Sequence, residues 1–267
     1  MLEKLLDRSS FVKKLRGKQR HSKDSKKRPA QWSYLAYLPA WVLFAFMVSI
    51  LATSAITSLL EWIHMSPEQY LSPTAYQLAV TAMVYIFSLI IAAGVPYLFK
   101  RKATSLQDVG LARLMSWTDI GLAPVVFIAY IVTVTVVTAL IAAWFPGFSV
   151  NEAQDVGFSL FGSQFDNVLT FLALVVIAPL AEEILFRGYL YGKLKSYVPA
   201  LWAAAATSLL FGLVHLQWNV AIDVFVLSMF LCGLRSITGN IWAGILVHSM
   251  KNAVAYFILI SPFIIGG

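Results

Sequence analysis

The chain has 267 residues, 59% of them hydrophobic and only 12% charged, against about 25% charged in soluble domains. That composition excludes a soluble globular protein and indicates a polytopic membrane protein. Residues 1–30 hold 11 of the 20 Lys and Arg and 3 of the 13 Asp and Glu, a net of +8, so the overall +7 belongs to this end. No interleaved aromatics or folded platform accompany these charges, so a nucleic-acid partner is not expected. The single cysteine, Cys232, lies in an apolar segment, excludes an intrachain disulfide and reads as a small buried hydrophobe.

Residues 1–30 read as a basic cytosolic tail that sets orientation and meets anionic lipid. Leu2, Leu5, Leu6 and Phe11 give it a short amphipathic opening. Residues 31–267 read as one transmembrane helical domain. The first span is predicted at 34–60, too long for the apolar core of a signal peptide. A second follows at 75–99 and ends on Lys100, Arg101 and Lys102. The polar connector 103–119 carries Leu106, Val109, Leu111 and Leu114, spaced to seat a short interfacial helix. The third span covers 120–145, the fourth starts near Val168, and the fifth, sixth and seventh cover 199–216, 220–234 and 240–260. A short apolar end beyond could belong to an eighth.

The loops 61–74 and 146–167 hold no Lys or Arg, whereas the tail, 100–102, 193–195 and 235 do. The positive-inside rule therefore places the amino terminus in the cytoplasm. The expected fold is all-α: a polytopic membrane helix bundle of about seven or eight transmembrane helices, in the cell membrane.

Three polar interruptions of apolar helices stand out. The fourth span carries Glu182, Glu183 and Arg187, and charges inside a bilayer mark functional sites by default, since each costs at least about 2.5–3.5 kcal/mol. Glu183 and Arg187 are i,i+4 and can pair on one face; Glu182 is turned about 100° away. The fifth span ends Phe211…His215, and the seventh carries His248 and Asn252, again i,i+4 and on one face. Pro179 is expected to kink the fourth span. Asn219 and Asp223 match no motif and read as interfacial, and Gly188 reads as a place for a neighbouring helix to approach.

Taken together these residues resemble the CAAX-protease and bacteriocin-processing enzyme family, the Abi-type intramembrane proteases. That family's motifs are Glu-Glu-x-x-x-Arg, Phe-x-x-x-His and His-x-x-x-Asn/Asp, all present here in the family's order on consecutive apolar helices. The resemblance covers about 167–260, the expected protease core. It implies an intramembrane endopeptidase acting on a membrane-associated protein or peptide. Eukaryotic relatives cleave prenylated CAAX proteins, and bacterial ones are linked to bacteriocin processing or self-immunity.

The chemistry of the residues agrees with that implication. Peptide hydrolysis needs an activated water and donors for the oxyanion. A carboxylate in a low-dielectric site suits a general base, so Glu182 and His215 are candidates to activate water. His248 and Asn252 can donate to the oxyanion. Glu183 and Arg187 are supporting residues, with Arg187 either neutralising Glu183 or meeting a substrate carboxylate. A metal-free mechanism is the expectation. Zinc is the alternative, with Glu182, His215 and His248 as ligands, although their spacing is not that of a zinc motif.

The competing class is a non-catalytic immunity or scaffold protein that binds a peptide partner in the same cavity; a transporter comes third, without an inverted repeat to support it. One geometric difficulty accompanies every reading. Counted from opposite ends of their spans, Glu182 and His215 fall at different depths, about 20 Å from the outer end and about 24 Å from the inner. A kink, a tilt or a fifth helix starting below the interface must reconcile them.

Overall fold

The structure, a computed structural model, describes residues 29–101, 103–145 and 163–265, with backbone alone at 100 and 259–265. The basic tail, its amphipathic opening and most of the 146–167 loop lie outside these residues. Among the described residues every regular element is helical. The helices are α1 (Tyr34–Trp62), α2 (Pro73–Phe99), α3 (Trp117–Trp144), α4 (Gln164–Leu194), α5 (Ala200–Leu213), α6 (Trp218–Thr238) and α7 (Trp242–Ile265).

Five of these, α1 to α4 and α6, are long and apolar enough to cross a membrane, whereas α5 has only 14 residues. Large apolar side chains cover the outside of the bundle, among them Leu51, Val125, Val132 and Leu172. This is the surface of a protein solvated by lipid. The multi-pass helical architecture read from composition is therefore present.

The helices begin where their chemistry directs. Ser116 caps α3 by accepting from the Asp119 amide, while the Asp119 carboxylate accepts from the Ser116 amide in return. Ser163 and Asp166 repeat this reciprocal cap on α4. Asp166 Oδ1 also accepts from the Ser72 hydroxyl at 2.5 Å, which ties the start of α4 to the start of α2.

Two helices widen into π-helix, α2 at Ile90–Gly94 and α4 at Leu172–Ile177 and again at Glu183–Tyr191. Such segments often accompany functional sites. Each helix lends a carbonyl to a neighbour: the Trp41 indole donates to Ala92 O at 3.2 Å, and Asn252 Nδ2 donates to Leu174 O at 2.8 Å. Leu174 lies five residues before Pro179, the spacing of a π-turn, and Pro179 has no N–H to offer it. The expected disturbance by Pro179 thus takes the form of an α-helical turn, Ala178–Glu182, set between two π segments.

The depth difficulty disappears once both heights are counted from the turn that α4 and α5 share. Glu182 stands 12 residues from the α4 end at Leu194, and His215 stands 15 from Ala200. At 1.5 Å per residue these are about 18 and about 22 Å. With 31 residues, α4 is longer than the roughly 30 Å hydrocarbon layer needs, so its amino-terminal end is the wrong datum.

Two further expectations are corrected. The connector after α2 forms turns over 106–110 rather than a helix, because Gly110 has φ +77° and stops it after one turn. Ser105 anchors that turn through its amide and hydroxyl, both donating to Asp108 Oδ2 at 2.8 Å. These bonds hold the Asp108 carboxyl below its ordinary range. The connector also occupies the space at Gly188, where a Cβ would stand 2.9 Å from Val109 O, so Gly188 admits this loop and not another helix. Asp223, read as interfacial and part-exposed near the start of α6, has partners the sequence did not indicate: it accepts from the Tyr130 hydroxyl and pairs with Lys251 Nζ at 3.3 Å, joining α3, α6 and α7.

Candidate active site

The site forms where α2, α4, α5 and α7 meet. Glu183 and Arg187 are fully buried on α4, with Glu183 Oε1 2.9 Å from Arg187 Nη1. The contact is an ion pair by distance and not a directed hydrogen bond. The guanidinium lies 4.3 Å from the centroid of the Phe211 ring on α5, where a desolvated cation gains from the ring's face. Arg187 has no surface exposed.

Glu183 does a second thing. The same Oε1 lies 3.0 Å from His248 Nδ1 on α7. His248 Nε2 points the other way, 3.6 Å from Glu182 Oε2. The two adjacent glutamates, although rotated apart on their helix, therefore address the two nitrogens of one imidazole. His215 lies just beyond the end of α5 and donates from Nδ1 to Phe211 O at 2.7 Å, since a carbonyl only accepts. It is close enough to Glu182, His248 and Lys251 to feel their charges.

Phe211 is the floor of the site. Its ring meets His215 edge-on at 5.0 Å and His248 at 5.8 Å, and packs on Phe186 at 4.8 Å. One aromatic ring thus sets the positions of Arg187 and both histidines. Asn252, one turn along α7 from His248, faces α4 through its bond to Leu174 O.

Six of the seven motif residues thus form one connected cluster, and the seventh, Asn252, stands one helical turn from it. The motifs do not include Tyr85 of α2, whose hydroxyl donates to Glu182 Oε1 at 2.5 Å. A tyrosine in an apolar helix carries no spacing signal, and only its contact identifies it. A cavity of about 390 Å3 lies elsewhere, between α1, α2 and the far end of α4, lined by Tyr34, Trp41, Tyr189 and Lys193 among others and by none of the motif residues.

The donor set was tested for a metal. Among the described residues no three His, Cys, Asp or Glu side chains are gathered so as to share an ion. His215 Nδ1 and His248 Nδ1 are each engaged by protein oxygens.

Residues 164–254 match the family described as Type II CAAX prenyl endopeptidase Rce1-like. The matched segment runs from the start of α4 into α7 and contains all three motifs, so the resemblance to CAAX proteases holds there. The Bacillus subtilis (strain 168) protein named Putative membrane peptidase YdiL is 26% identical over 87 residues, 33% of this chain and 36% of that protein. An Escherichia coli protein described as Uncharacterized 24.3 kDa protein is 33% identical over 88 residues, 31% of this chain and 41% of that one. The chain thus spans about two fifths or less of the length of these curated relatives. No solved structure matches it. The Rce1-like match and the peptidase relative together support a membrane peptidase.

Proposed function

We propose that the chain is an intramembrane endopeptidase of the CAAX-protease and bacteriocin-processing type, which hydrolyses a peptide bond of a membrane-associated substrate. The observation that carries the reading is the placement of the two histidines: His215 Nδ1 against Phe211 O, and the two nitrogens of His248 against one oxygen each of Glu183 and Glu182. His215 spends its Nδ1 proton on Phe211 O, which leaves a lone pair on Nε2. Both nitrogens of His248 face carboxylate oxygens, which only accept, so an imidazolium with two N–H groups satisfies the arrangement. Two carboxylates, Arg187 and this imidazolium then sum to zero charge, as a site in lipid requires.

Hydrolysis follows from these assignments. Water held between Glu182 Oε2 and His215 Nε2 gives a proton to Glu182 as its oxygen bonds to the peptide carbonyl carbon. His248 Nε2–H and the second amide N–H of Asn252 donate to the oxyanion. When the C–N bond breaks, the proton on Glu182 passes to the leaving amine, so the products are a carboxylic acid and an amine. Glu183 holds His248, and Arg187 balances Glu183. The same groups serve a lipid-modified substrate or a plain membrane-anchored peptide.

The test is proteolysis by the purified protein in detergent, against a library of membrane-anchored peptides read by mass spectrometry. Cleavage that disappears in Glu182→Gln is the expected result. A folded wild type that cuts no member of a broad library would leave the immunity or scaffold role as the better account.

A further inference from the structure

Tyr85 lies on α2, outside the segment that matches the family. The Tyr85–Glu182 bond, at 2.5 Å, has the length of a hydroxyl donating to a charged oxygen. The ring is fixed from behind by Phe46 of α1, edge-on at 6.0 Å and 87°. Glu182 closes the short α-helical turn before the second π segment, and its other oxygen, Oε2, is the one that faces His248. The two oxygens of one carboxylate thus have different surroundings, one capped by a phenol and the other turned to the histidines.

We propose that Tyr85 is a positioning residue for hydrolysis: it holds Glu182 by Oε1 so that Oε2 alone is presented to the water. The proposal rests on Glu182 as the base. A glutamate side chain has three rotatable bonds, and ordering it costs free energy; a second anchor on Oε1 removes that freedom before substrate arrives. The chemistry of the anchor matters. Lysine or arginine there would neutralise the charge that makes Glu182 basic, and an apolar residue would leave Oε1 desolvated without a donor. A phenol supplies one hydrogen bond and leaves the negative charge in place.

Tyr85→Phe keeps the ring and its contact with Phe46 and removes only the hydroxyl. In the cleavage assay kcat is expected to fall with KM nearly unchanged. The acid limb of kcat/KM should move up by about one to two pH units, the size of one hydrogen bond to a charged group. A merely structural role would lower the folded fraction without moving that limb. Replacing Tyr85 with 3-fluorotyrosine, which strengthens the donor, should move the limb the other way.

A second readout needs no substrate. Infrared titration of the Glu182 carboxyl band, isolated by subtracting Glu182→Gln, should show a higher midpoint in Tyr85→Phe than in wild type. An unmoved limb and midpoint in folded Tyr85→Phe would overturn the proposal. Should the wild type cleave nothing, the peptidase reading falls, and the infrared midpoint still decides on Tyr85. Should Tyr85→Phe not fold, the 3-fluorotyrosine protein decides it with the sign reversed.

Discussion

Glu183 Oε1 meets His248 Nδ1 at 3.0 Å, joining residues 65 apart in the chain. Because that oxygen also faces Arg187 at 2.9 Å, Glu183 has one partner in the ion pair and another, His248, in the proposed mechanism, and the two can be separated. Removing one member of a fully buried pair costs about 3–5 kcal/mol, so Glu183→Gln and Arg187→Gln should each unfold at lower temperature. The double variant should be less unstable than the two losses summed, since neither charge is left alone. Its turnover should stay as low as in Glu183→Gln, because His248 has still lost its carboxylate. Recovery of rate together with stability would show that the Glu183–His248 contact does nothing in catalysis.

Glu182 should behave differently from its neighbour. Glu182→Gln keeps the shape and an acceptor for Tyr85 but cannot take a proton. Turnover should fall by roughly 10²–10⁴-fold, the usual share of a general base, with thermal stability nearly that of wild type. A drop in melting temperature as large as that of Glu183→Gln would assign Glu182 to the structural network instead.

The oxyanion donors give a third test, which also addresses zinc. His248→Ala and Asn252→Ala should each lower turnover by about 10²–10³-fold with little change in KM. Cleavage should persist after treatment with a strong chelator and dialysis. Elemental analysis provides the check: stoichiometric zinc that vanishes in His215→Ala or His248→Ala, with inhibition reversed by added zinc, would replace this mechanism with a metal-assisted one.

Much of this was legible in the chain itself. Apolar runs flanked by Lys or Arg placed the helices within a few residues, and the motif spacing named six side chains of the candidate site. The π segments were not legible. They arise from packing and from the missing N–H of Pro179, and they decide that Leu174 O is available to Asn252. Tyr85 and the Tyr130–Asp223–Lys251 group were equally hidden. Each joins residues about 90 or more positions apart, or residues on different helices, without a periodic signature. The short connector was misread because its apolar spacing fits a helix, whereas Gly110 and the Gly188 notch turn it into a loop.

Gly188→Ala tests that notch. The added methyl would lie 2.9 Å from Val109 O, a backbone atom, so the connector must move, at a cost of about 1–3 kcal/mol for overpacking. Thermal denaturation measures it. A variant as stable as wild type would show that the connector is not pressed against α4.

Orientation is tested by labelling. Cys232 is buried, so the background is low. A cysteine at Glu68, exposed between α1 and α2, should react with an impermeant reagent from outside, and one at Ser196, exposed after α4, only from the cytoplasm. The reverse pattern would invert the topology.

The connector also bears on how the protein is made. It is laced to residues synthesised much later: Gly110 O accepts from the Ile241 amide at 3.2 Å, Arg113 O from the Trp242 indole at 2.7 Å, and Asp108 O from Arg235 at 2.9 Å. Glu183 and Arg187 share one helix and can neutralise each other as soon as α4 forms. His248 and Asn252 arrive only with α7, together with the Ile241 and Trp242 contacts to the connector. On the proposed mechanism, a nascent chain that has not yet produced α7 would hold Glu182 without His248 or Asn252, and hydrolysis would wait until that helix is in place.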